Sequence, residues 1–155
     1  RPAIVIDRRG NRLVSVQKAT GEELATVAAQ TPCPLVLVVL VDRMTGRVLF
    51  GLNAWRAEYE LPGGMVDEGE RFDETAHREL EEETGIRVRV LQLLGYARFA
   101  LVDPVRDELG AVYLAEVSSR HATPSHELLR FVWREPGDET DLPISVLDDA
   151  IERGL

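Results

Sequence analysis

The chain has 155 residues, 45% of them hydrophobic and 29% charged, with a formal net charge of −9 at pH 7. That size and composition fit one compact domain with a real hydrophobic core, and exclude the fibrous and disordered classes. The negative charge excludes a non-specific binder of nucleic acid or of anionic membranes, and the longest apolar run, Leu35–Val41, is far shorter than the roughly 20 residues that cross a bilayer.

In chain order, Ala3–Asp7 and Arg12–Gln17 flank Arg9-Gly10-Asn11 and read as a β-hairpin. Thr20-Gly21-Glu22-Glu23 has capping-box form and opens a short helix to Gln30, which Thr31-Pro32-Cys33-Pro34 ends. Cys33 is the single cysteine, so no internal disulfide or cysteine zinc site can form. No His stands near it in sequence, and it reads as a small loop residue rather than a nucleophile. One free thiol suits a reducing compartment, and a cytoplasmic location is expected.

Leu35–Val41 is continuous and Val-rich, the pattern of a strand buried on both faces. Asp42–Gly46 is a turn, Arg47–Leu52 a second strand, and Asn53–Gly69 a loop containing Pro62-Gly63-Gly64. Phe72–Thr84 reads as a helix with Gly85 as its stop. Ile86–Leu94, Tyr96–Val102, Ala111–Val117 and Leu128–Trp133 read as strands, and Ile144–Arg153 as a closing helix. Strands outnumber helices, which predicts an α/β fold with a mixed sheet and helices on its faces. The whole of 1–155 is expected to be a single domain, with a core over 35–153 and residues 1–30 as an N-terminal extension.

The charge is uneven. Glu58–Glu83 holds eleven Asp and Glu against two Arg, while the rest of the chain balances. On a helix, residues three and four apart share a face, so Glu79, Glu82 and Glu83 converge. Like charges at that spacing destabilise a helix by ~0.2–0.5 kcal/mol per pair, and a hard divalent cation would remove the repulsion. Taken alone, the Glu run also reads as a solvated helix face laced by Glu74–Arg78 and Arg78–Glu82 pairs.

The surrounding pattern decides between these readings. Gly64, Glu70, Arg78, Glu79, Leu80, Glu82, Glu83, Gly85 and Ile86 fill every specified position of a Gly-x5-Glu-x7-Arg-Glu-aliphatic-x-Glu-Glu-x-Gly-aliphatic pattern. The segment 64–86 thus resembles the Nudix box. The resemblance implies an α/β/α sandwich around a mixed sheet, and a pyrophosphohydrolase using Mg²⁺ or Mn²⁺. It implies Glu79, Glu82 and Glu83 as metal ligands with the Gly64 carbonyl as a further one. Glu70 would hold Arg78, which in turn orients Glu79, and Gly85 closes the motif.

Metal ions can neutralise a diphosphate and orient water for in-line attack, with a carboxylate as general base. Glu79 is the first candidate for that base. The resemblance makes Glu127 the best one outside the box, with Glu108 and Asp107 as weaker alternatives. Trp55, Tyr59, Tyr96 and Phe99 could stack on a base, and Arg56 and Arg98 could hold a phosphate; core packing and surface solubility are their bland alternatives. His77, His121 and His126 show no metal spacing.

The lead-in Tyr59-Glu60-Leu61-Pro62-Gly63-Gly64 resembles that of Nudix nucleoside-triphosphate hydrolases. This favours nucleoside triphosphates, including oxidised ones such as 8-oxo-dGTP, with ADP-ribose and nucleotide sugars close behind. ADP-ribose hydrolases often carry a dimerising N-terminal domain, so the hairpin leaves a homodimer open. A non-catalytic nucleotide-binding module on the same fold is the competing reading. Such modules commonly lose box glutamates, and this chain keeps them.

Overall fold

The computed structural model describes residues 4–118 and 121–155, so Ala3 lies outside the described residues. Among these, nine strands and three helices are formed. β1 (Val5–Ile6) and β2 (Arg12–Lys18) make the expected hairpin. α1 (Gly21–Ala28) opens with the capping box. Thr20 Oγ1 accepts from Glu23 N at 3.2 Å, and Glu23 Oε1 accepts from Thr20 N at 3.0 Å. β3 (Leu35–Asp42) and β4 (Val48–Asn53) follow. β5 (Tyr59–Glu60) and β6 (Gly63–Met65) precede α2 (Phe72–Thr84), then β7 (Gln92–Val102), β8 (Val105–Val117), β9 (Leu128–Arg134) and α3 (Val146–Gly154).

The order in the sheet is β1-β2-β7-β8-β3-β4-β5, with β6 also on β3 and β9 also on β4. β3 runs parallel to β8, whereas β3–β4, β3–β6, β7–β8 and β2–β7 are antiparallel, so the sheet is mixed. The unbroken apolar run of β3 follows from its place between two layers. Val36, Val38 and Leu40 pack with Leu24 of α1 and with Ala76 and Leu80 of α2. Leu37 and Val39 point the other way, packing with Phe50 and with Ile151 of α3. A strand covered on both faces must be apolar at every position. Two helices on one face and one on the other make the α/β/α sandwich. Fully burying side chains such as Phe50 and Leu40 stabilises it by about 1.5–3 kcal/mol each.

α2 is held at both ends. Glu74 Oε1 accepts from Arg71 N at 2.9 Å, and Gly85 takes a left-handed φ of +73° while its N–H donates to Glu81 O at 2.8 Å. One stripe of this helix, Ala76, Leu80 and Thr84, is buried in the core. Glu79 and Glu83 lie beside that stripe, which makes them buried as well.

Three expectations are corrected. Residues 86–91 are not strand, and β7 starts only at Gln92. Ile86 is buried and Val88 packs against the core, while Arg87 and Arg89 are exposed, so the period-two pattern is present. Among the described residues no strand pairs with it, and without a ladder the backbone stays irregular. β8 begins at Val105 rather than Ala111, because β7 and β8 form one long hairpin paired from Gln92–Leu114 to Val102–Val105. The expected loop over 53–69 contains β5 and β6. Gly63-Gly64-Met65 has no strand-like side-chain pattern; its pairing with Leu35–Leu37 creates the strand.

β2 is paired with β7, and α3 packs on β1 and β2, so the N-terminal hairpin extends the edge of the same sheet. Among the described residues no helix is long and apolar enough to cross a membrane.

Candidate active site

Arg78, on the face of α2 beside its buried stripe, organises the carboxylates around it. Its Nε donates to Glu70 Oε2 at 2.7 Å and its Nη2 to Glu70 Oε1 at 3.0 Å, a bidentate pair. Nη1 donates to Glu79 Oε1 at 2.8 Å and to Glu82 Oε2 at 3.2 Å, while Nη2 also donates to Met65 O at 3.0 Å. Glu70 Oε1 further accepts from Thr75 Oγ1 at 2.6 Å and from Asp67 N at 3.0 Å. The Arg78 hydrogen bonds, then those from Thr75 and Asp67, hold the Glu70 carboxyl down at about 2. Glu70 is thus an anion held by three neighbours that anchors Arg78, and Arg78 in turn contacts Glu79.

Glu79, Glu83 and Glu127 each bring a carboxylate oxygen within 4.8 Å of the others. Glu79 is 8% exposed and Glu83 5%. Burial raises both carboxyls. Arg78 counteracts the rise at Glu79, whereas Glu83, bonded to Glu127 and near Glu79, is pushed up to about 9. Glu83 Oε1 accepts from Gly63 N at 2.8 Å. A Cβ on Gly64 would stand 2.3 Å from Glu79 Cδ, so the glycine backbone leaves room for this carboxylate to lie against β6. Glu127 comes from the other side, immediately before β9. Its loop is docked on the end of α2 by Thr123 N donating to Thr84 O at 2.7 Å, and its own carbonyl accepts from Ala54 N at 2.9 Å. Glu82 is not in this cluster: with 59% of its side chain exposed, it faces solvent and Arg78.

Two buried carboxylates and an exposed one this close together, with no cation among them, would repel one another. The protonation of Glu83 is the response of the protein alone. Hard oxygen donors of this kind suit Mg²⁺ or Mn²⁺, and the space beside Gly64 keeps a backbone close to them.

Glu83 and Glu127 open into a cleft of about 590 Å³, with Leu37, Phe99 and Leu128 among its apolar lining. Of the four expected substrate residues, Arg56 and Phe99 line it. Tyr59 does not: it is 4% exposed in the core and its hydroxyl donates to Asp141 Oδ1 at 2.8 Å. Arg98 points to the opposite face of the sheet, donating to Thr31 Oγ1 at 3.2 Å. β7 alternates, and Phe99 therefore faces the cleft while Arg98 cannot. Tyr96 is likewise in the core on the α2 face, and Trp55 is 71% exposed. Glu108 lines the cleft, paired with Arg106 at 3.3 Å; Asp107 does not.

Sequence reasoning missed Asp148. It lies on the cleft and Oδ2 accepts from Leu61 N at 2.9 Å. Burial, then the nearby Glu60, push its carboxyl up to about 7. In sequence it is an ordinary acidic residue in the first turn of a helix, and no local signal sets it apart from Asp149. The Asp7, Arg9 and Asn11 side of the cleft was also missed, because the hairpin turn carries no catalytic pattern.

The fold is that of a family of hydrolases that act on pyrophosphate bonds. The NUDIX domain matches residues 31–149, and the chain belongs to that family. Mutator protein MutT4 of Mycobacterium tuberculosis is 32% identical over 139 residues, spanning 89% of this chain and 48% of that protein. The oxidized purine nucleoside triphosphate hydrolase of Mus musculus is 35% identical over 85 residues, 54% of this chain and 51% of that enzyme. The chain thus spans about half the length of these curated relatives. The crystal structure of the MutT protein from Methanosarcina mazei superposes with a TM-score of 0.65 at 23% identity, over 80% of this chain and 94% of that one, a likeness of fold.

Proposed function

We propose that this protein is a metal-dependent hydrolase of the diphosphate linkage in nucleotide-like substrates, acting on nucleoside triphosphates including oxidised ones such as 8-oxo-dGTP. The observation that carries it is the convergence of Glu79, Glu83 and Glu127 at the end of a nucleotide-sized cleft. The resemblance of the Tyr59–Gly64 lead-in and the mouse relative named for oxidised purine triphosphates support the substrate class.

In this reading Glu79, Glu83 and Glu127 hold Mg²⁺ or Mn²⁺, with the Gly64 carbonyl as a further ligand and Glu82 one step outside. When bound, the ion neutralises the diphosphate and polarises the phosphorus under attack. Glu79, oriented by the hydrogen bond from Arg78 to one of its oxygens, takes the proton from the attacking water. Glu127, exposed to the cleft, is the alternative base. Arg78 and Glu70 are positioning residues. The single domain of 1–155, with 1–30 as an extension of the 35–153 core, acts as one unit in a reducing, cytoplasmic compartment.

The test is a panel of nucleoside triphosphates, 8-oxo-dGTP, ADP-ribose and nucleotide sugars, with Mg²⁺ or Mn²⁺ and a no-metal control, products being read by chromatography. Metal-dependent cleavage inside the diphosphate supports the reading, and the fastest substrate names the class. Turnover of ADP-ribose alone would replace the triphosphate reading. No turnover by folded protein, with metal bound, would favour the binding-module alternative. Glu83→Gln is expected to lower turnover at least about 100-fold through loss of transition-state stabilisation.

A further inference from the structure

The Asp7–Asn11 turn lies outside the segment that matches the family, yet it lines the same cleft as Glu83 and Glu127. Its shape is set locally. Asp7 Oδ1 accepts from Arg9 N and from Asn11 N, both at 2.9 Å, and Gly10, at a φ of +88°, donates from N to Asp7 O at 3.1 Å. Asn11 Oδ1 accepts from Val102 N at 3.2 Å, which ties the turn to the end of β7 beside the cleft-lining Leu101. The Asp7 carboxylate is therefore committed to its own turn, and Arg9 is the cation that the turn presents.

Arg9 Nη1 stands 3.5 Å from Glu58 Oε1 on the facing wall, with 40% of the Arg9 side chain exposed. That contact engages one of its five N–H donors. Arg56, the other arginine of the cleft, is already chelated by Glu60 through Nε and Nη2. Charge decides what this end can hold. Leaving aside the raised Glu83 and Asp148, the lining carries Asp7, Glu58, Glu60, Glu108 and Glu127 against Arg9 and Arg56 alone. A further phosphate here would meet a net negative field. An uncharged group with both donors and acceptors would meet a guanidinium fork beside a carboxylate, with Phe99 and Leu101 on its apolar flank. A nucleobase or a sugar has that chemistry.

We propose that Arg9, presented by the Asp7–Asn11 turn, is a specificity-determining residue that holds the uncharged nucleoside end of the substrate rather than its phosphates. This rests on the function proposed above. The test is equilibrium binding, with Mg²⁺, of an α,β-methylene nucleoside triphosphate and of inorganic tripolyphosphate to the full chain, as wild type, Arg9→Ala and Arg9→Lys. Arg9→Ala is expected to weaken nucleotide binding at least about tenfold relative to tripolyphosphate, with an unaltered melting temperature. Arg9→Lys, which keeps the charge but not the planar fork, is expected to recover only part of it. An unchanged nucleotide affinity in Arg9→Ala, or parallel losses for both ligands, overturns the proposal. Failure of the wild-type protein to bind any nucleotide would instead remove the proposed function.

Discussion

Replacing Glu83 by Gln separates what the carboxylate cluster costs the fold from what it does. Glu83 is 5% exposed, and its carboxyl is pushed up to about 9 by burial and by its neighbours Glu127 and Glu79. In the unfolded chain an ordinary Glu has lost its proton well below neutral pH. Between about pH 4.5 and 9 the folded state therefore binds the extra proton, and the stability of the metal-free protein falls as pH rises through that window. Keeping the proton at pH 7 costs about 3 kcal/mol relative to an uncharged side chain of the same shape. Gln supplies that shape, with an oxygen for the Gly63 N–H and an amide to donate to Glu127. Glu83→Gln should therefore raise the melting temperature in EDTA at pH 7 by about 6–12 °C for a chain of this size. The gain should shrink at pH 5 and grow at pH 8. Mg²⁺ should stabilise the wild type by binding the folded state and do so far less for the variant. Thermal unfolding with and without EDTA measures all of this. A variant no more stable than wild type at pH 7 without metal, or a gain independent of pH, would refute the account of Glu83 as a buried carboxyl kept for a cation.

Other changes probe the supporting structure. Gly64→Ala places a Cβ 2.3 Å from Glu79 Cδ, so Glu79 must leave its position; turnover should drop at least about tenfold while circular dichroism stays native. Arg78→Lys loses the bidentate grip on Glu70 and the simultaneous contact to Glu79. A predominant loss in kcat is expected, and a kcat equal to wild type would show that Arg78 does not position Glu79. Thr20→Ala removes the α1 cap and should cost about 1 kcal/mol in urea unfolding with kcat/KM intact, since α1 does not line the cleft.

The family was legible from the sequence because the residues that resemble its motif lie in one continuous segment, 64–86; the Glu run alone would also read as a solvated helix face. Helix geometry makes Glu79 and Glu83 neighbours and sets Arg78 beside Glu82 on α2, while the link from Arg78 to Glu70, which precedes the helix, was implied by the family resemblance. The apolar run of β3 likewise announced a strand covered on both faces, and Gly85 the end of α2. Tertiary structure decided what spacing cannot express. It selected Glu83 and Glu79 over Glu82 for the cluster, because Glu127, just before β9, approaches from one side only. It made a strand of Gly63–Met65 through backbone pairing with β3, and left 86–91 irregular for want of a partner. It turned Arg98 away from the cleft and Phe99 into it through the alternation of β7. Asp148 and Arg9 became cleft residues by the docking of α3 and the hairpin, contacts 87 and 49 residues apart in the chain. Local periodicity reports which face of an element is buried; which elements meet there is a long-range outcome of packing.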